Sequence, residues 1–439
     1  MRKILRRLSS SFFLRTYLYV LAAIALIALL TSCTDTVRMP EGKEVYVPGD
    51  MSDQDLQDPE SEWSYHRMAY TDDIVLLWQK GFGQDPNQAP PLDELPMTVD
   101  LQKVMDCLQR DYVFFRDSLD FLLPGSVAHR VRMLTSLVYT TDGVACGGVV
   151  DDTLGALWVA PCRLQDEHIN VLAHELGHSF QCQIGVDRPD GPWQAYGFYE
   201  MASQWMLWQV NPDWIGEETY HYDAFLQAMH KAFLSPENIY RSPYVLQYWS
   251  QLRGRDIIAR LFKKGRDGED AVMAYKRLCS LSQSQFNDEI FDACRHFVGL
   301  DYTHAFSATR PYADRAATPS EYAGGGWQQP QSAFRPENYG FNVFPVDSTL
   351  LRRGSLTLRF EGLSSDAKAG YRYGFVARQA DGRYSYSPTG SQSSGALSWT
   401  LPSAVSKAWV VVMGAPQVHW RSDLEETRSA VWPYRFKIG

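Results

Sequence analysis

The sequence predicts an α+β protein: a mixed and then mostly helical part over residues 63–310, followed by an all-β part over 339–439. Three observations carry this reading. Asp73-Ile74-Val75-Leu76-Leu77-Trp78 is a short apolar run bounded by charge and glycine, as a buried strand would be. Leu172, Ala173, Leu176 and Phe180 recur at helical spacing and form one apolar stripe. From Tyr339 onward, short stretches alternate apolar and polar residues between turn signals, which suits a β-sandwich.

The chain begins with an address. Arg2, Lys3, Arg6, Arg7 and Arg15 are basic, 17–30 is apolar, and Leu30-Thr31-Ser32-Cys33 resembles a bacterial lipobox. The apolar run is shorter than the roughly 20 residues that a spanning helix needs. Residues 1–33 therefore read as a lipoprotein signal peptide, with Cys33 acylated and the mature chain held to a membrane by lipid. The implied location is the bacterial cell envelope, lipid-anchored at the outer membrane, either periplasmic or surface-exposed. Residues 34–62 are polar, with glycine, proline and several aspartates, and read as a flexible tether.

Composition bounds the rest. A chain of 439 residues with 45% hydrophobic content can bury large cores. Its net charge of -9 argues against nucleic acid or anionic lipid as the main partner. Once Cys33 is used, Cys107, Cys146, Cys162, Cys182, Cys279 and Cys294 remain, an even set in an oxidising compartment. Cys279 and Cys294 are near in sequence and form the first choice of disulfide. No C-x-x-C spacing is present, so no cysteine is assigned to metal.

Between 63 and 160 the pattern is α+β. After the strand at 73–78, Ala89-Pro90-Pro91 marks a loop, and 99–121 shows helical periodicity through Leu101, Val104, Met105, Leu108, Tyr112 and Phe115. Residues 131–139 and 156–159 read as buried strands. Asp151-Asp152 between them reads as a turn rather than a calcium site. Trp158-Val159 is the candidate strand edge for docking a peptide backbone by β-augmentation.

The chemistry sits in 165–184, where His174-Glu175-Leu176-Gly177-His178 matches H-E-x-x-H. Residues four apart on a helix share a face, so both imidazoles can hold one metal ion. Glu175 can then act as general base on a metal-bound water. Neutral imidazoles with an open coordination position suit Zn²⁺. A third ligand is needed, and Glu200 is the only acidic residue in an otherwise aromatic and aliphatic helix over 196–208. A carboxylate there is costly to bury unless it is paired or metal-bound. Asp187, Asp190, Glu217 and Asp223 are weaker rivals, at loop or helix-entry positions.

His174-Glu175-x-x-His178 followed by Glu200 resembles the gluzincin class of zinc metallopeptidases, whose third ligand is a helix glutamate. The spacing is similar to that of the enhancin-like, mucin-active zincins. Ala-His-Glu-Leu-Gly-His-Ser-Phe-Gln, with Tyr-Glu-Met-Ala-Ser-Gln-Trp downstream, resembles an uncharacterised family of zincin-like lipoproteins from Bacteroidota, from about Trp63 to the C-terminus. The resemblance implies a zincin-like catalytic domain over 63–310. One departure stands out: many gluzincins carry an acidic residue four after the ligand glutamate, and here that residue is Gln204. A carboxylate orienting a ligand imidazole must then come from elsewhere.

After 212 the chain reads as helices over 222–233, 244–252, 256–262, 270–281 and 285–297, forming the second wall of a cleft. His221, Tyr240, Tyr244 and Tyr248 are candidate donors to a tetrahedral oxyanion. Residues 311–338 read as a linker. At least six strands follow, with Asp381-Gly382 as a hairpin turn. Trp409, Trp420 and Trp432 could form a sugar-stacking platform or could be core. The leading reading is a lipid-anchored zinc metallopeptidase acting on extracellular protein or glycoprotein. The alternative is an inactive zincin-like surface lipoprotein that binds glycan or protein through its β-sandwich.

Overall fold

Strands covered on both faces must be apolar throughout, and Ile74-Val75-Leu76-Leu77-Trp78 meets that condition. In the computed structural model, which describes residues 36–421 and 430–439, all five are buried in strand β2. The expected signal peptide, Cys33 and the start of the expected tether lie outside the described residues. Strands β1 (Met68–Tyr70), β2 (Ile74–Trp78), β3 (Met133–Leu137), β4 (Ala145–Val150) and β5 (Leu154–Val159) form one sheet in the order β1-β2-β3-β5-β4. The β2, β3 and β5 pairings are parallel, while β1 and β4 are antiparallel edges. Trp158-Val159 is therefore interior, between β3 and β4, and the open edge is β4. The hairpin causes the exchange: Asp151 and Asp152, both with positive φ, fold β4 back along the outside of β5.

Helix α1 (Leu101–Val113) is capped by the Asp100 carboxylate, which accepts from the Lys103 N–H. Helix α2 (Asn170–Asp187) lies across β4 and β5, and two glycines let it come close. A Cβ on Gly155 would stand 2.6 Å from the Ser179 carbonyl, and one on Gly147 would collide with the Glu175 carbonyl. Helix α3 (Phe198–Val210) runs antiparallel to α2, so that Gln181 meets Tyr199 while His174 meets Gln204. Helices α4 (Thr219–Ala228), α5 (Tyr244–Arg253), α6 (Ile257–Lys264), α7 (Ala271–Leu278) and α8 (Gln283–Gly299) complete this half. Cys279 and Cys294 are free thiols, not a disulfide. Cys294 points from α8 toward Met413, whereas Cys279 follows the end of α7.

The C-terminal strands are β6 (Ser320–Tyr322), β7 (Gln328–Pro330), β8 (Phe341–Pro345), β9 (Ser355–Gly362), β10 (Tyr371–Gln379), β11 (Tyr384–Tyr386), β12 (Ser394–Thr400), β13 (Val405–Gly414) and β14 (Tyr434–Ile438). They make two sheets, β11-β10-β13-β8 and β12-β9-β14-β7-β6. The period-2 alternation of a strand explains the run Val410-Val411-Val412-Met413. Val410 and Val412 join Leu358, Phe360 and Phe436 in one core. Val411 and Met413 face the helices and join the main core. Arg372–Asp288 and Arg378–Asp314 ion pairs add polar ties across the same boundary. The chain is a mixed α+β protein.

Two further sequence readings differ from the structure. Residues 311–338 are not an unstructured linker, because β6 and β7 in that stretch extend the five-stranded sheet. Much of the expected tether is tied down: Glu44 pairs with Val131, and the Arg132 guanidinium donates to the Glu41, Lys43 and Thr71 carbonyls. Of the two readings of the tryptophans, core is the one that holds: Trp409 and Trp432 are buried at 3% and 1% exposure, and Trp420 packs edge-on against Trp432. No helix among the described residues is long and apolar enough to cross a membrane.

Candidate metal centre

The site grows from α2. Phe180 on its apolar stripe packs against Tyr112 and Phe115, from α1 and the turn that follows it, with ring centroids 4.9 and 5.7 Å apart. That anchors one face and leaves His174 and His178 on another, facing α3. Helix α3 brings Glu200 to them. His174 Nε2 and His178 Nε2 lie 3.2 and 3.1 Å from Glu200 Oε2, and 3.1 Å from each other. Among the described residues, this is the one group of three or more such donors, all within 4.8 Å, that could hold a metal ion.

The far side of each ring explains the tautomers. His174 Nδ1 is 2.9 Å from Gln204 Oε1, and His178 Nδ1 is 3.1 Å from Gln181 Oε1. An amide oxygen only accepts, so both Nδ1 atoms carry the proton. Both Nε2 atoms then present lone pairs toward one another and toward a carboxylate oxygen. Three lone pairs converging at this distance call for a cation. The electrostatics agree. Burial works against the charged form of His178, but Glu200 and then Glu175 outweigh it and raise its pKa. Burial would push Glu200 upward, yet the two imidazoles hold it well below the ordinary carboxylate range.

Glu175 follows His174 directly and is held by the sheet edge: Gly147 N–H donates to Glu175 Oε2 at 2.7 Å. Its β5 neighbour does not use that N–H, which points off the open edge of β4. Tyr240 closes the opposite side, its ring stacked 6.2 Å from His174. Burial, with the charge of Glu200 nearby, pushes the Tyr240 hydroxyl up to about 12, so it stays a proton donor at neutral pH. His221 meets the site through Gln204, whose Nε2 lies 3.2 Å from His221 Nε2. Burial, then His174 and Arg241, lower His221 to about 4 and keep it neutral.

A model of the family described as "Family of unknown function (DUF6055)" matches residues 38–439. The chain belongs to that family. No curated protein and no solved structure matches it.

In this DUF6055 chain the donors open into a cavity of about 700 Å³, walled by Cys146 and Gly147 of β4, Arg163, Glu218, Tyr220 and Tyr240. The rival ligands are engaged elsewhere. Asp187 accepts from Gln183, Glu217 from Asn170 and Asn211, and Asp223 pairs with Arg315, while Asp190 sits exposed in a turn. Of the four oxyanion candidates, Tyr240 and His221 line the cavity. Tyr244 is buried among Trp208, Phe225 and Phe297, and Tyr248 donates to Asp292. The orienting group expected from elsewhere is Gln204 itself, acting through its amide oxygen. Gln181 is a residue of the candidate site that the sequence reading misses, although its place three residues after His178 on one helix face is the available signal.

Proposed function

We propose that this DUF6055 protein is a zinc-dependent peptidase of the gluzincin type. Its zincin-like domain would span 63–310 and its β-sandwich 339–439, with the chain held at the cell envelope by lipid on Cys33. The observation that carries the reading is the triangle of His174 Nε2, His178 Nε2 and Glu200 Oε2, with sides of 3.1–3.2 Å. Tetrahedral zinc with bonds of about 2.0–2.1 Å sets its donors about 3.4 Å apart, close to those sides. A Zn²⁺ ion held there supplies Lewis acidity, polarising a carbonyl and lowering the pKa of water to about 7.

The chain's own residues supply the rest. The open β4 edge offers backbone groups to an extended peptide. Glu175, steadied by Gly147 N–H, takes the proton from the attacking water and passes it to the leaving amine. Tyr240, still protonated, donates to the oxygen that gains charge. Replacing Tyr240 by Phe is expected to lower kcat about a hundredfold with metal content unchanged. A Tyr240→Phe variant with wild-type kcat in steady-state assays would remove that residue from the mechanism.

Elemental analysis of residues 34–439, wild type beside Glu200→Ala, tests the reading. About one zinc per chain, lost or much weakened in the variant, is expected for a three-ligand site. A wild type that takes up no zinc on reconstitution would refute the peptidase reading.

A further inference from the structure

One contact beside the centre joins Gln204 to His221, and its meaning rests on the metal-centre reading. A ligand histidine usually passes its second N–H to an outer acceptor that fixes tautomer and ring orientation. A carboxylate does this from either oxygen. An amide does it from one end only, because turned over it sets N–H against N–H. Gln204 therefore needs something to hold its oxygen toward His174. Two acceptors flank its nitrogen: His221 Nε2 at 3.2 Å and the Tyr240 carbonyl at 3.4 Å. With the amide reversed, its oxygen would face both of those lone pairs.

The partner amide is held without a histidine. Gln181 Nε2 donates to the Tyr199 carbonyl at 3.1 Å and to Ser203 Oγ at 3.0 Å, both on α3. His221 comes instead from α4, with its ring 5.9 Å from Trp214 and 4.2 Å from Tyr220. Glu218 Oε2, which accepts from Trp214 Nε1 at 2.9 Å, stands farther from His221 Nε2, at 3.5 Å, than Gln204 Nε2 does at 3.2 Å. The amide is the closer partner, and with the ring proton on Nδ1 His221 Nε2 accepts from it.

We propose that His221 is a positioning residue for the metal centre: by accepting from Gln204 it fixes the amide, and through the amide the His174 tautomer that turns Nε2 toward the ion. It touches neither metal nor substrate in this role. The neutral outer shell, in which glutamine stands where a carboxylate would need no such lock, gives His221 this role, as the closer of the two acceptors on the Gln204 nitrogen.

The test is a double-variant cycle read as zinc affinity, by competition with a chromophoric chelator, on the wild type, His221→Phe, Gln204→Glu and the pair combined. Thermal unfolding of the metal-free proteins checks folding, and His221→Leu replaces the phenylalanine variant should that one misfold. In the Gln204 background, loss of His221 is expected to weaken zinc binding by about tenfold or more, the range for outer-shell partners. In the Gln204→Glu background the same loss is expected to cost less than about threefold, because either carboxylate oxygen serves His174. An equal loss in both backgrounds would make His221 mere packing and overturn the proposal, as would no loss in the wild type. A wild type that binds no zinc overturns the metal centre first and this proposal with it.

Discussion

Glu175→Gln is expected to stop the proposed peptide hydrolysis while leaving zinc binding intact. Glutamine matches glutamate in shape and keeps an oxygen for the Gly147 N–H, which now reaches Glu175 Oε2 at 2.7 Å. It cannot take a proton. General acid–base groups contribute about 10²–10⁴-fold, and Glu175 is asked to work twice, on the water and on the leaving amine. The expected loss in kcat therefore lies toward the upper end of that range. His174, His178 and Glu200 are untouched, so zinc content and thermal midpoint should match the wild type. Mass spectrometry of an unfolded protein substrate after incubation reads the activity whichever peptide bond is cut. Undiminished cleavage by Glu175→Gln would reject Glu175 as the base. Cleavage lost together with the zinc would instead mark it as part of the metal's support.

Much of this centre is legible in the sequence because helical geometry is local. The i, i+4 histidines and the apolar stripe of Leu172, Ala173, Leu176 and Phe180 need only the helical period. Glu200 is legible because a lone carboxylate among aromatics needs a partner. What the sequence hides is non-local. Ala145-Cys146-Gly147-Gly148 reads as poor strand, since glycine lacks a side chain to pack. The same glycine is what lets α2 lie against β4, so the pattern conceals β4 and points to a docking edge one strand inward. Gln204 resembles a loss of function when set against an acidic residue, and only its contacts on both sides show it acting as acceptor and donor together. In the β half, strands are readable from alternation. The second buried face of the four-stranded sheet is not, because Val410-Val411-Val412-Met413 does not say which element covers each side.

Gly147→Ala should damage fold, metal site and activity at once, whereas Gly148→Ala should be tolerated. The two residues are neighbours on one strand and point to opposite faces. A Cβ on Gly147 would strike the Glu175 carbonyl and stand 2.8 Å from His178 Cβ, inside the helix that carries two of the proposed ligands and the proposed base. The backbone of α2 cannot rotate out of the way as a side chain could, so β4 and α2 must separate. Overpacking of this kind costs about 1–3 kcal/mol. The separation would also stretch the Gly147–Glu175 hydrogen bond, and a displacement of about 1 Å at a reacting group costs about 10²-fold in rate. A Cβ on Gly148 meets only the Trp158 ring, at an ordinary 3.6 Å. Unfolding midpoints, zinc affinity and turnover measured on the two variants side by side separate contact with α2 from a general intolerance of the strand to alanine. Equal damage from both would mean that the glycines serve the strand's own backbone, and Gly147 would lose its claim to set the distance between the sheet edge and the metal helix.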